Sequence, residues 1–368
     1  MKMRKIMLVI PTNTSGGAER VLCQLANYFA KKDIEVTFVN FDSESNFYTL
    51  NQNVNYVKLH TEFKSKKKIY KVLEAPVREV QRFVKIKKLI KKIKPDVVLP
   101  FCEMAEVLTI PNCLIQKVPF CISVRNDYSE YYWYMKILSK LTYSKAKLVV
   151  CQTKAVERML LESVRCNTTV IYNPLDETTY DKTVDAIFER KHIFINVGRL
   201  TQQKNQKLLI KAFAKVSEVY PDYCLYIYGR GELREELQNL IRDLHMEDKV
   251  LLKGVLNNAI KVNRDATAFV MSSDFEGFPN TLVEAMANGI PSISTDFSTR
   301  AAKQLLQDGD CGWLVDVGNE EQLAAAMINI IENPAMAQEK ASKGLYVRDY
   351  LAADTVCQQW IDEIERTL

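Results

Sequence analysis

Histidine is scarce in this chain: His60, His192 and His245 are the only three in 368 residues. None has a neighbour at ligand spacing, so a structural zinc site is not expected. The nine cysteines are scattered, odd in number and without a Cys-x-x-Cys pair. That usage points to reduced thiols in a cytoplasmic protein, not to a disulfide framework. No apolar run approaches the roughly 20 residues that a membrane-spanning helix needs. The start of the chain carries charge, but its apolar run is five residues and stops at Pro11. That is shorter than a signal core, and a first β-strand is expected there. Gly-x-Gly-x-x-Gly is also missing, which excludes a plain nicotinamide dehydrogenase. No convincing Ser-His or Cys-His arrangement suggests an enzymic nucleophile.

The length allows two domains with separate cores. The net charge of +5 hides an asymmetry, because 13 Lys or Arg face three Glu between His60 and Lys94. That segment carries +10 and leaves −5 for the remainder. Its apolar residues Leu73, Val77, Val80, Val84, Ile90 and Ile93 recur at helical spacing. One or two basic amphipathic helices are therefore expected. They present either a solvated face or a surface for an anionic membrane or phosphorylated acceptor. Nucleic acid is not expected, since no aromatic stacking pattern or recognition motif accompanies the charge.

Short β runs alternate with helical stretches throughout. The first half has strand candidates from Ile6–Ile10 to Thr168–Ile171, and the second from Ile193–Val197 to Trp313–Val315. This alternation predicts an α/β protein of parallel sheets covered by helices on both faces. Two doubly wound, Rossmann-like domains are expected, over residues 1–172 and 173–346, facing a cleft. Ligands in such sheets bind beyond the carboxyl ends of the strands.

The loops at those ends carry the chemistry. Glu276 and Glu284 bracket Gly277-Phe278-Pro279-Asn280-Thr281-Leu282. Pro279 suits the first turn of a helix running from about Asn280 to Asn288. The free N–H groups of its start make an anion site between two carboxylates, which fits a nucleotide-sugar. Gly198-Arg199 and Lys204 share the loop after the first strand of the second domain. Arg199 by a fork and Lys204 as a point charge could both reach a diphosphate. Gly229-Arg230-Gly231 is a tight turn and, as a lone Gly-x-Gly, a weak signal. Gly16-Gly17 allow close backbone approach at the first helix start. Arg125-Asn126-Asp127 end a strand of the first domain. Asp308-Gly309-Asp310 has the Asp-x-Asp pattern of metal-dependent sugar transferases, yet it precedes a strand start and reads as a turn.

Taken in order, Gly16 to Arg20, Gly198-Arg199 with Lys204-Asn205, Gly229 to Glu232 and the Glu276–Glu284 block make the chain resemble the family 4 retaining glycosyltransferases of the GT-B fold. The likeness runs almost end to end. It implies metal-independent transfer from a nucleotide donor, UDP by family habit, with retained anomeric configuration and no further cofactor. It implies that Arg199 and Lys204 neutralise the diphosphate, Glu276 contacts sugar hydroxyls and Glu284 holds the ribose. Lys253-Gly254 would recognise the base, Gly17 would face the diphosphate, and the 277–282 loop would meet sugar and phosphate. A last helix over 347–368, anchored by Trp360, would return to the first domain. Several relatives carry a histidine where this chain has Arg125-Asn126-Asp127. Asp127 could serve as a base, or the leaving phosphate oxygen could take the acceptor proton. The resemblance also suggests a lipid-diphosphate-linked glycan acceptor at the inner face of the cytoplasmic membrane. A nucleotide-sugar epimerase would need more acid and base groups, and a non-catalytic scaffold would not need the intact Arg199, Lys204, Glu276 and Glu284 set.

Overall fold

A computed structural model of the chain describes residues 2–13, 16–41, 48–59, 68–128, 131–183 and 189–368, and for 68–74 the backbone alone. The chain divides into two compact units, Met1–Pro174 with Ala353–Leu368, and Leu175–Ala352.

The first unit is built from β1 (Lys5–Ile10), α1 (Gly17–Lys31), β2 (Glu35–Asn40), β3 (Asn55–Lys58), α2 (Lys68–Ile93), β4 (Val97–Pro100), α3 (Glu103–Gln116), β5 (Cys121–Ser123), α4 (Trp133–Thr142), β6 (Leu148–Cys151), α5 (Lys154–Leu161) and β7 (Thr168–Val170). A four-stranded sheet of order β3-β2-β1-β4 meets a three-stranded sheet of order β5-β6-β7. Parallel bridges between Val98 and Phe120 and between Phe101 and Ser123 join them. Every pairing is parallel. Ile6 to Ile10 are all fully enclosed, which is why β1 reads as an unbroken apolar run and not as an alternation.

The second unit holds β8 (Lys191–Val197), α6 (Gln206–Val219), β9 (Cys224–Tyr228), α7 (Arg234–Asp243), β10 (Val250–Gly254), α8 (Ala259–Val262), β11 (Ala266–Met271), α9 (Asn280–Ala287), β12 (Ser292–Thr295), α10 (Ala301–Leu305), β13 (Trp313–Val315), α11 (Glu320–Glu332), α12 (Pro334–Gly344) and α13 (Val347–Tyr350). Its six strands run parallel in the order β10-β9-β8-β11-β12-β13. The winding reverses between β8 and β11, and in the first unit between β1 and β4. Such reversals splay the loops apart beyond the carboxyl ends and open a crevice.

The 347–368 segment does not act as one helix. Val347–Tyr350 stays in the second unit, and α14 (Ala353–Thr367) belongs to the first. Trp360 is fully buried there, with its ring 6.2 Å from Phe101. Val356, Ile361 and Ile364 share the same core. We expect Trp360→Ala to cost about 3–5 kcal/mol in urea unfolding, the usual range for an emptied aromatic core site. A loss below 1 kcal/mol would mean that α14 merely rests on the unit.

The basic helix departs from its expected face. Ile86 and Ile90 are buried, whereas Val77, Val80 and Val84 are 58%, 62% and 41% exposed. At about 100° per residue the valines lie opposite the isoleucines, so the helix carries two apolar stripes and only one faces the core. Lys87, Lys88, Lys91 and Lys92 are exposed along the outer side. Lys64, Lys66 and Lys67 lie outside the described residues. Among the described residues no helix is long and apolar enough to cross a membrane.

Candidate active site

The loops after β8 and β11 flank the switch point of the second unit, and they hold most of the residues that the sequence singles out. After β8 the chain passes Gly198 and Arg199 and makes one tight turn over Gln202–Lys204. Asn205 then adopts a left-handed conformation (φ 43°) and caps α6, accepting from the Leu208 amide at 3.2 Å. After β11 come Ser272 to Pro279 and then α9.

The two loops are stitched together by hydrogen bonds. Asn205 Nδ2 donates to Asp274 Oδ1 at 2.7 Å, and the Asp274 amide donates to Gln203 O at 2.9 Å. Ser272 Oγ donates to Lys204 O at 2.9 Å, and Gln203 Nε2 to Phe275 O at the same distance. Glu276 sits inside this frame and is 6% exposed. Its Oε1 pairs with the Lys204 ammonium and accepts from Ser273 Oγ at 2.7 Å, and Gln203 Nε2 lies 3.4 Å from Oε2. Thr299 Oγ1 holds the Glu276 carbonyl at 2.9 Å. Burying a charge this far is costly unless it is paired and hydrogen-bonded, as it is here. The lysine expected to face a diphosphate is thus held by the carboxylate expected to face the sugar. Arg199 differs: its side chain is exposed and has no carboxylate partner among the described residues.

Glu284 lies in α9, 8% exposed, on a helix whose residues from Leu282 to Ala287 are all buried. Pro279 precedes that helix at the cap position (φ −85°, ψ 77°) instead of occupying its first turn. Its carbonyl accepts from Leu282 and Val283, closing the first turn. Gly277 and Phe278 are buried, while Asn280 and Thr281 are partly exposed. At the end of β10 the Lys253 ammonium lies 4.9 Å from the centre of the Tyr226 ring, and Gly254 has φ +74° with open space around it.

Gly229 and Gly231 have a use that their spacing does not reveal. A Cβ on Gly229 would stand 1.8 Å from Gly198 O, and one on Gly231 would stand 2.2 Å from Leu200 O. The two glycines let the β9–α7 turn press on the Gly198–Leu200 loop, where Leu200 N donates to Arg230 O at 3.0 Å. They shape the loop that carries Arg199.

Gly17 and Asp127 belong to the first unit. Gly17 opens α1, and Asp127 follows β5 with 1% exposure. Beside it Arg125 is stacked 4.0 Å over the Phe101 ring, and burial lowers its guanidinium to about 9. Glu106, which the sequence did not bring forward, is fully enclosed and accepts from Tyr143 at 2.7 Å; burial pushes its carboxyl up to about 8. Asp308 pairs with Lys303 at 2.9 Å in the turn before β13. Among the described residues no three His, Cys, Asp or Glu side chains group as a metal site.

Two doubly wound parallel units with this strand order have the architecture of the GT-B glycosyltransferases. A crystal structure of Anabaena HepE in complex with UDP and glucose matches with a TM-score of 0.82, at 19% identity over 99% of this chain and 100% of that one. Sucrose-phosphate synthase from Thermosynechococcus elongatus matches with 0.84, at 17% identity over 99% and 98%. The chain belongs to glycosyltransferase family 4. The family model Glycosyltransferase Family 4 matches residues 15–179, and Glycosyl transferases group 1 matches residues 178–344. An uncharacterised glycosyltransferase of Methanocaldococcus jannaschii is 30% identical over 345 residues, 80% of this chain and 85% of its own. The N-acetylgalactosamine-N,N'-diacetylbacillosaminyl-diphospho-undecaprenol 4-alpha-N-acetylgalactosaminyltransferase of Campylobacter jejuni is 29% identical over 360 residues, 93% and 94% of the two chains.

Proposed function

We propose that this glycosyltransferase moves a hexose or N-acetylhexosamine from a nucleotide-sugar, UDP-linked by preference, to a glycan carried on a lipid diphosphate. The transfer retains anomeric configuration, needs no metal and serves surface polysaccharide or oligosaccharide assembly. The observation that carries this reading is the buried Lys204–Glu276 pair at the switch point of the second unit, with Arg199 uncommitted on the same loop. The C. jejuni relative, named for a diphospho-undecaprenol acceptor, supports the lipid-linked acceptor.

In the reaction the bond between the sugar C1 and the diphosphate oxygen breaks, leaving negative charge on phosphate and positive charge on the sugar. Arg199 and Lys204 stabilise the first, and the Glu276 carboxylate lies on the sugar side. Fixed charges of this kind cost no reorganisation when the charge develops. The acceptor hydroxyl attacks C1 on the face that the phosphate leaves, and its proton passes to the departing phosphate oxygen. Asp127, only 1% exposed, is not required for that step. Gly17, Gly254 and Lys253, Glu284 and the 277–282 loop are assigned to binding the donor. The basic segment Lys64–Lys94 is assigned to holding the enzyme at the cytoplasmic face of an anionic membrane.

Incubation with a panel of nucleotide-sugars tests the reading. Nucleotide release from at least one UDP-hexose or UDP-N-acetylhexosamine is expected, and silence across the panel would defeat it. Turnover should persist in EDTA, because two cations do a metal's work at the diphosphate. Complete loss of activity, restored by magnesium or manganese, would contradict metal independence.

A further inference from the structure

The outer face of α4 is apolar where a helix facing water should be polar. Trp133, Ile137 and Leu141 are 74%, 50% and 63% exposed, and they recur every four residues along one side. The other side buries Met135, Ser139 and Thr142 in the unit's core. Tyr132 and Tyr134 stack beside Trp133, with ring centres 5.7 Å apart. Trp133 is the one tryptophan of the three turned fully outward; Trp360 is enclosed and Trp313 is partly buried.

Lysine outnumbers acid around this stripe, with Glu130 just ahead of it in the sequence and Glu103 close to Tyr134 from α3. Between Tyr131 and Val156 the chain has five lysines and no acid, and Lys140, Lys145 and Lys147 are exposed. Burial, and then Glu103 of α3, raise the Tyr134 phenol. α3 packs between α2 and α4, so the exposed valines of α2 and their following lysines lie on the same side of the sheet. Tryptophan and tyrosine at the rim of an apolar stripe flanked by lysine form the pattern of a helix lying in a lipid interface. Monomeric soluble proteins rarely expose such a patch without a partner.

We propose that α4 lies flat in the headgroup region of an anionic phospholipid surface, with Trp133, Ile137 and Leu141 inserted and the neighbouring lysines on the lipid phosphates. This rests on the reading of a lipid-linked acceptor, and it adds an insertion anchor to the electrostatic attraction of α2. The N-terminal ends of α3 and α4 follow β4 and β5, so the anchor starts at the carboxyl edge of the sheet, where an acceptor would bind.

The test compares wild type with the triple variant Trp133→Ser, Ile137→Ser, Leu141→Ser on phosphatidylcholine vesicles with and without phosphatidylglycerol. Wild type is expected to sediment with the anionic vesicles and to keep part of that binding at about 0.5 M salt, where electrostatic attraction is screened. The triple variant should bind at least tenfold more weakly and lose all binding at high salt. Trp133 emission should shift to the blue on binding, relative to a Trp133→Phe background. Equal binding by both proteins, or no binding by wild type, overturns the proposal. So does a wild-type dimer in light scattering that the triple variant loses, which would make the stripe a self-association face. Nucleotide release from the donor, measured in the same samples, keeps the two ideas apart. Its absence in wild type counts against the transferase reading, whereas unchanged release with unchanged vesicle binding counts against the anchor alone.

Discussion

Lys204→Ala should lower turnover by about 100-fold or more, the cost of losing one preorganised charge donor at a developing oxyanion. The same substitution should also destabilise the protein, because it strands the carboxylate of Glu276, whose side chain is 8% exposed. Breaking a buried pair from one side costs about 3–5 kcal/mol, and the 18% exposure of the Lys204 side chain places this site toward the lower end. The two effects separate in a double variant. Lys204→Ala with Glu276→Gln removes the stranded charge and should recover most of the stability while turnover stays low. Arg199→Ala makes the opposite comparison: its exposed, unpaired side chain predicts a stability change within about 0.5 kcal/mol and a turnover loss of about 100-fold. Recovery of turnover in the double variant, or full activity in both single variants, would remove the diphosphate role and leave Lys204 as a structural partner of Glu276.

Gly229→Ala should be the most damaging of the small substitutions outside the ion pair. Its Cβ would stand 1.8 Å from the Gly198 carbonyl oxygen at φ +151°, so either the β9–α7 turn or the donor loop has to move. Overpacking and a disfavoured backbone conformation together cost on the order of 3 kcal/mol. Donor binding should weaken with it, since the displaced loop carries Arg199. Gly318→Ala is the control, with φ +75° and open space around the added methyl. It should cost about 1 kcal/mol and leave turnover unchanged. Similar losses at both positions would show that backbone strain alone matters and that the contact between the loops does not.

Periodicity and composition made the alternation of strands and helices legible, and with it the α/β class. An apolar run such as Ile6–Ile10 stood out because strands of a parallel sheet are enclosed on both faces. The site was legible as two loops, one with cations and one with glutamates. The resemblance implied that both serve one donor, but the direct Lys204–Glu276 pair was not legible, because it depends on β8 and β11 pairing across the switch point. Gly229 and Gly231 look like a weak ligand turn, and only the fold reveals that they accommodate another loop. α2 misled for a different reason: its valines and its isoleucines each satisfy helical spacing, and periodicity cannot tell which stripe faces the core. The four-residue helices α8 and α13 are shorter than any periodic signal. Pro279 was read one position too far into its helix, because a missing N–H is tolerated both at the cap and in the first turn.

The most direct test of the central claim is to follow transfer from a UDP-α-sugar by proton NMR in the presence of EDTA, recording the anomeric coupling of the first-formed product. The account predicts UDP release together with an α-configured product, at a rate that EDTA leaves unchanged and Lys204→Ala lowers by about 100-fold. A β-configured product, or a reaction that proceeds as fast without Lys204, would contradict it.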